Sequence, residues 1–243
     1  MLDDVRDHID ELYQELGVSG AGPTLEKLAR DLPADNPGRA EYLTSAAESY
    51  RVAERLDDAK RCVQEAIVDG GETVLLREAL LINILLDEGD HDGADKVSAS
   101  LRKRARDLSG LDIDQIAEAY ELADRLEQAH RWYTIALRPY EPDDVAHDMT
   151  ASHAAISRRR VRRQLGLPED RFDAAAKRAR AEATGRDPDD IDSDTLPPMA
   201  ILYWPKTEFK RYIALFPELA EGYDWNHAGH RAQVQDTLVK LAE

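Results

Sequence analysis

The chain has 243 residues, a hydrophobic fraction of 42% and one cysteine, Cys62. That length supports one large domain or two small ones with a sizeable core, and a lone thiol excludes an intrachain disulfide framework or a cysteine-based zinc cluster. A net charge of −17 at pH 7 sets the chain as a whole against nucleic acid and anionic membrane.

Residues 2 to 16 predict a helix, because Leu2, Val5, Ile9, Leu12 and Leu16 recur at helical spacing. This start is acidic and amphipathic, unlike a signal peptide. No apolar run in the sequence approaches the ~20 residues that span a bilayer. A cytoplasmic protein with no membrane partner is therefore expected. Gly17, Gly20 and Gly22 break the period, and Pro23 suits the first turn of a second helix over 24–32. The two would form an N-terminal capping hairpin over 1–38, closed by the turn cluster PADNPG.

Three helix pairs are predicted next, 40–54 with 57–69, 73–87 with 92–106, and 112–124 with 127–138. Ala59, Ala94 and Ala129 fall 35 residues apart, Tyr50, Leu85 and Tyr120 share one offset, and Ala66, Leu101 and Ala136 share another. A fixed period of roughly 20 to 50 residues marks a stacked-repeat protein. Small side chains let the two helices of a hairpin approach closely, while larger ones fill the grooves beside them. The middle helix, within ETVLLREALLINILLDEG, is apolar almost all round, which predicts burial on both sides. Its Leu76, Leu80 and Leu86 are alternatively the floor of a partner surface.

A further helix is read over 143–165, opened by PDD, and another from Glu169 to Thr184. Together they form a degenerate fourth pair over 144–184. Residues 158 to 186 hold ten Lys/Arg against four Asp/Glu, whereas residues 1 to 145 hold 33 acidic and 17 basic side chains. An acidic loop (185–198) and an aromatic-rich C-terminal cap (199–243) follow. The cap carries seven of the fifteen aromatics, among them Tyr203, Trp204, Phe209 and Trp225.

The span 40–143 resembles the tetratricopeptide repeats, which place a small residue and an aromatic on the first helix and small residues on the second. Ala47, Tyr50, Ala59 and Ala66 match that pattern, as do Ala117, Tyr120, Ala129 and Ala136. The middle repeat keeps Ala94 and substitutes Ile82, Leu85 and Leu101. The period is 35 here against about 34 in that family, and the closing proline is absent or displaced. The resemblance implies an all-α fold, a right-handed α-solenoid of stacked antiparallel helix hairpins. It also implies a concave groove lined by the first helices.

By that resemblance the groove residues are Glu41, Glu48, Arg51, Leu80, Asn83, Asp114, Gln115, Glu118 and Glu121. The carboxylate clamp of the family needs Lys, Asn and Arg, but the matching places hold Thr44, Glu48, Leu80, Leu111 and Gln115. An acidic groove with a leucine floor suits a basic or amphipathic protein or peptide segment, and the same surface is compatible with homo-oligomerisation. The plainer reading is that its carboxylates are solvated helix faces.

Three candidate chemistries remain. Arg159, Arg162 and Arg163 share a helix face at i, i+3 and i+4 and offer an anion-binding patch within the cluster 158–163. Against it, the cluster's charge suits the C-terminal end of its own helix and acidic neighbours within the chain. His227 and His230 could share a metal ion, but no third ligand or general base accompanies them, so no metal site is assigned. Cys62 lies beside Val63 on a packing helix, as a buried structural thiol does. No nucleophile, phosphate-loop or dinucleotide motif is present. The expected function is a non-catalytic scaffold without a cofactor. A nucleic-acid-associated regulator and a metal-dependent enzyme stand as alternatives.

Overall fold

The computed structural model describes residues 2–34 and 36–184. Among them the chain is all-α, with no strand. The helices are α1 (Leu2–Leu16), α2 (Val18–Asp31), α3 (Arg39–Val52), α4 (Leu56–Asp69), α5 (Arg77–Glu88), α6 (His91–Lys103), α7 (Gly110–Leu122), α8 (Leu126–Ala136), α9 (Met149–Gln164) and α10 (Arg171–Thr184). Short 3-10 segments occupy Ala105–Asp107 and Pro142–Ala146. The described residues divide into two compact units, with the boundary between Asp112 and Ile113. In the first, α1 packs on α2, α2 on α3, α3 on α4, α4 on α5 and α5 on α6. In the second, α8 packs on α9 and α9 on α10. No helix of the described residues is long and apolar enough to cross a membrane.

The 35-residue interval of the sequence returns as backbone geometry. After α3, Glu54 turns the chain at φ 61°, and the Arg55 amide donates to the Tyr50 carbonyl over 2.8 Å. After α5, Gly89 does the same at φ 79°, with Asp90 donating to Leu85 over 2.8 Å. After α7 it is Asp124 at φ 57°, with Arg125 donating to Tyr120 over 2.8 Å. This six-to-one bond over a left-handed residue closes a helix by satisfying one of its last carbonyls. The fourth residue of the next helix is then Ala59, Ala94 or Ala129, each fully buried. Tyr50, Leu85, Tyr120, Ala66, Leu101 and Ala136 are buried as well. The three hairpins thus share one turn and one set of buried positions.

Four expectations about elements change. The second helix starts at Val18, not residue 24, so Gly20 and Gly22 lie inside α2. A Cβ on Gly22 would stand 3.0 Å from Cδ1 and Cε1 of Tyr50 and 3.3 Å from Cβ of Ser49. That glycine lets α2 lie directly against α3, whereas Gly20 meets nothing closer than 3.8 Å. Gly22→Ala should therefore lower stability by about 1–3 kcal/mol through overpacking. Gly20→Ala should raise it by about 0.5–1 kcal/mol through helix propensity. Urea denaturation of the two variants checks both signs.

The fifth helix begins at Arg77 rather than 73, because side chains pin the connector before it. Glu41 Oε2 accepts the Val74 amide at 2.9 Å, and Arg77 donates to the carbonyls of Ala66 and Gly71 at 2.9 and 2.8 Å. The sixth ends at Lys103, not 106. The helix expected over 143–165 is a 3-10 segment followed by α9, whose start is fixed by Asp148 accepting the Ala151 amide at 2.8 Å. The α5 sequence behaves as its composition demands: Ala79, Leu80, Leu81, Ile82, Ile84, Leu85 and Leu86 are all buried. The acidic loop and the C-terminal cap lie outside the described residues.

Candidate functional site

Asp114, Glu118 and Glu121 sit at i, i+4 and i+7 of α7 and so share one helix face. On α9, His153 and Arg160 are spaced i, i+7 and likewise share a face. The two faces meet. His153 Nδ1 lies 3.1 Å from Asp114 Oδ2, and its Nε2 lies 3.5 Å from Glu118 Oε1. Arg160 donates Nε to Glu121 Oε1 at 2.6 Å and a terminal N–H to Oε2 at 2.9 Å, a bidentate pair. From α8, Tyr133 Oη donates to the same Glu121 Oε2 at 2.9 Å. Asp114, Glu118 and Glu121 are only 8%, 5% and 7% exposed. The reading of these carboxylates as solvated helix faces is corrected: α9 covers them.

Burial shapes the electrostatics of the cluster. It pushes the Glu118 carboxyl up to about 8; the His153 cation opposes the rise, and Asp114 and Glu121 add to it. For His153, burial pulls the imidazole down, but the Asp114 hydrogen bond and the charges of Glu118 and Asp114 outweigh it, so its pKa rises. The Glu118 carboxyl and the His153 imidazole therefore hold more protons near neutrality than they would in water. Asp114 Oδ1 and His153 Nε2 are buried without a hydrogen-bond partner. Among the described residues no group of three or more His, Cys, Asp or Glu is disposed to hold a metal ion.

The groove residues of the first unit are also largely enclosed. Glu41 is buried and accepts the Val74 amide, its pKa raised by burial. Glu48 is half-buried, and burial raises its pKa against the opposing Arg51 cation. Arg51 donates to Asp87 Oδ2 at 2.9 Å, and Leu80 is core. Glu48, Asn83 and, in the second unit, Gln115 are the half-exposed members of the expected groove.

The arginine-rich helix α9 faces inward. Arg158, Arg159 and Arg160 are buried. Arg158 pairs with Asp170 at 2.5 Å and Asp173 at 3.4 Å, Arg159 with Glu169 at 3.4 Å, and Arg162 with Asp173 at 2.7 Å. Arg162 also donates to the Pro168 carbonyl. Neighbouring guanidiniums hold Asp170 down at about 2, against the upward pull of its burial. The expectation that Arg159, Arg162 and Arg163 display an anion-binding face is corrected for the first two, whose partners are the chain's own carboxylates. Arg163 is exposed. His227 and His230 lie outside the described residues. Cys62 is fully buried, and burial pushes its thiol up to about 12, an unreactive setting.

No family model, curated protein or solved structure matches the chain. The sequence reading missed His153 and Arg160 as partners of α7. Their signal was present: Asp114 to His153 and Glu121 to Arg160 are both intervals of 39, four residues longer than the interval of the preceding repeats.

Proposed function

We propose that the chain is a non-catalytic helical-repeat scaffold of the tetratricopeptide-like kind, a right-handed solenoid of antiparallel hairpins that holds a protein or peptide partner. The observation that supports this is the recurrence at one interval of the same left-handed turn, the same six-to-one bond and the same buried alanine. Hairpins that repeat one geometry stack by repeating one interface, and such stacks present extended surfaces to partners. The enclosed carboxylates alter the expected partner chemistry. Glu41, Asp114 and Glu121 already have partners within the chain, so an amphipathic segment suits the inner surface better than a purely basic one. Asn83 and Gln115 are the accessible residues through which it would be felt.

A photo-crosslinking amino acid placed at Asn83 or Gln115, with the same group at Val68 as control, tests the reading in host-cell extract. Val68 is 87% exposed and lies on a second helix. Discrete protein adducts at Asn83 or Gln115 and none at Val68 are expected. Equal labelling at all three, or none at any, would contradict it.

A further inference from the structure

A cleft of about 500 Å³ opens in the second unit beside α8, lined by Glu127, His130, Arg131, Thr134, Arg138, Leu165 and Leu167. Glu127, Arg131, Thr134 and Arg138 follow one another at four, three and four residues, a single stripe of the helix and its closing turn. The two leucines come from the turn between α9 and α10. We propose that this cleft binds an acidic peptide segment of a partner protein, two carboxylates flanking a pair of apolar side chains. This rests on the reading of the chain as a protein-binding scaffold and names one partner chemistry for it.

The charges around the cleft favour that occupant. Arg158 and Arg162, which lie nearby, are engaged by Asp170 and Asp173. The Thr134 hydroxyl is taken too, donating to the His130 carbonyl at 2.7 Å and accepting from Arg158 Nε at 3.0 Å. His130 stands 3.3 Å from an Arg162 nitrogen. Burial, and then the Arg158 and Arg162 cations, pull its imidazole down, so it brings no charge at neutrality. Arg131 and Arg138 remain. Both are exposed, and among the described residues neither is in an ion pair. With Glu127 on the same stripe the lining is net positive by one charge, in a chain whose total is −17.

Spacing selects a peptide over a simple anion. Seven residues along α8 and its closing turn separate Arg131 from Arg138 by roughly 10 Å at 1.5 Å per residue. A single phosphate or carboxylate is too small to span two such sites. Carboxylates three residues apart on a peptide in the polyproline II conformation, which has three residues per turn, share a face and stand roughly 9 Å from each other at 3.1 Å per residue. Leu165, half-buried, and Leu167, 38% exposed, then face the residues between them. Guanidiniums favour carboxylates through paired N–H donors.

The test uses the full chain and a fluorescein-labelled octapeptide with the core Asp-Leu-Ile-Glu, followed by fluorescence anisotropy. Peptides with Asn-Leu-Ile-Gln and Lys-Leu-Ile-Lys cores are the controls, and inorganic phosphate is the competitor. The acidic peptide should bind and weaken with added salt. Its affinity should fall at least ten-fold in the Arg131→Glu, Arg138→Glu double variant, and several-fold in Leu167→Ser. Because these side chains are exposed, helicity and melting temperature should stay at the parent values. The milder Arg131→Gln, Arg138→Gln pair replaces the double variant if they do not. No binding, equal binding of the lysine core, or indifference to the arginine pair would overturn the proposal. Displacement by millimolar phosphate with Leu167→Ser silent would reduce the cleft to an anion site and overturn it as well. Binding seen only once the aspartates of 187–194 are changed to asparagine would overturn the partner and give the cleft to the chain's own acidic stretch. Each of these outcomes concerns defined peptides, so it is separable from a failure of the crosslinking test.

Discussion

Arg160→Met should lower the stability of the protein by about 3–5 kcal/mol, because it strands a charge. Glu121 is 7% exposed, and the Arg160 guanidinium meets both of its oxygens. Methionine fills much of the same volume, so packing changes little and the loss reports the abandoned carboxylate. Glu121→Leu alone should cost less, since an arginine can carry its charge toward solvent on a long stem. The double variant Arg160→Met with Glu121→Leu should recover most of the loss. It forfeits the Tyr133 hydrogen bond, worth about 1 kcal/mol. A urea-denaturation double-mutant cycle measures the coupling. A coupling energy near zero would mean that α7 and α9 do not meet through this pair.

The second large effect is a pH dependence with an unusual sign for a carboxylate. Glu118 is raised from an ordinary value of 4.5 to about 8 by burial, so the folded chain binds a proton there that the unfolded chain releases. Stability then falls as pH rises. The contribution is fully present below pH 4.5 and is lost progressively as pH climbs through about 8. His153, also raised, acts in the same direction. Glu26 and Asp170, each held at about 2, act oppositely: what they contribute is present above their ordinary values and is lost as pH falls toward 2. Glutamine imitates the protonated side chain. Glu118→Gln should be near-neutral at pH 5 and more stable than the parent at pH 9, by on the order of a few kcal/mol. Denaturation midpoints at the two pH values read this directly. A parent and variant that decline in parallel would show that Glu118 does not titrate with folding.

The sequence disclosed the hairpins because alanine at a fixed interval has one economical explanation. Ala59, Ala94 and Ala129 are buried at the same place in α4, α6 and α8. It misjudged Gly20 and Gly22, since a glycine that breaks a helix and a glycine that admits a neighbouring helix look alike in one dimension. Only the approach of Tyr50 to Gly22 separates the two uses. The inner carboxylates were found by position and misread by environment. Asp114 and Glu121 look like solvent-facing residues until His153 and Arg160 arrive from 39 residues downstream. Arg158, Arg159, Arg160 and Arg162 follow the plainer of their two readings, pairing within the chain: Glu121, Glu169, Asp170 and Asp173 flank the cluster on both sides. Charge balance in a folded chain is a property of contacts, and composition windows hide it.

The recurring hairpin turn is the centre of this account, and exchanging residues among its three copies tests it most directly. Glu54, Gly89 and Asp124 all hold positive φ, a conformation that costs a non-glycine residue roughly 1–2 kcal/mol. If the three turns are equivalent, Glu54→Gly and Asp124→Gly should leave the protein as stable or more stable, and Gly89→Ala should destabilise it by about 1 kcal/mol. A Gly89→Ala variant as stable as the parent, with glycine at 54 or 124 destabilising, would contradict the shared turn and the repeat built on it.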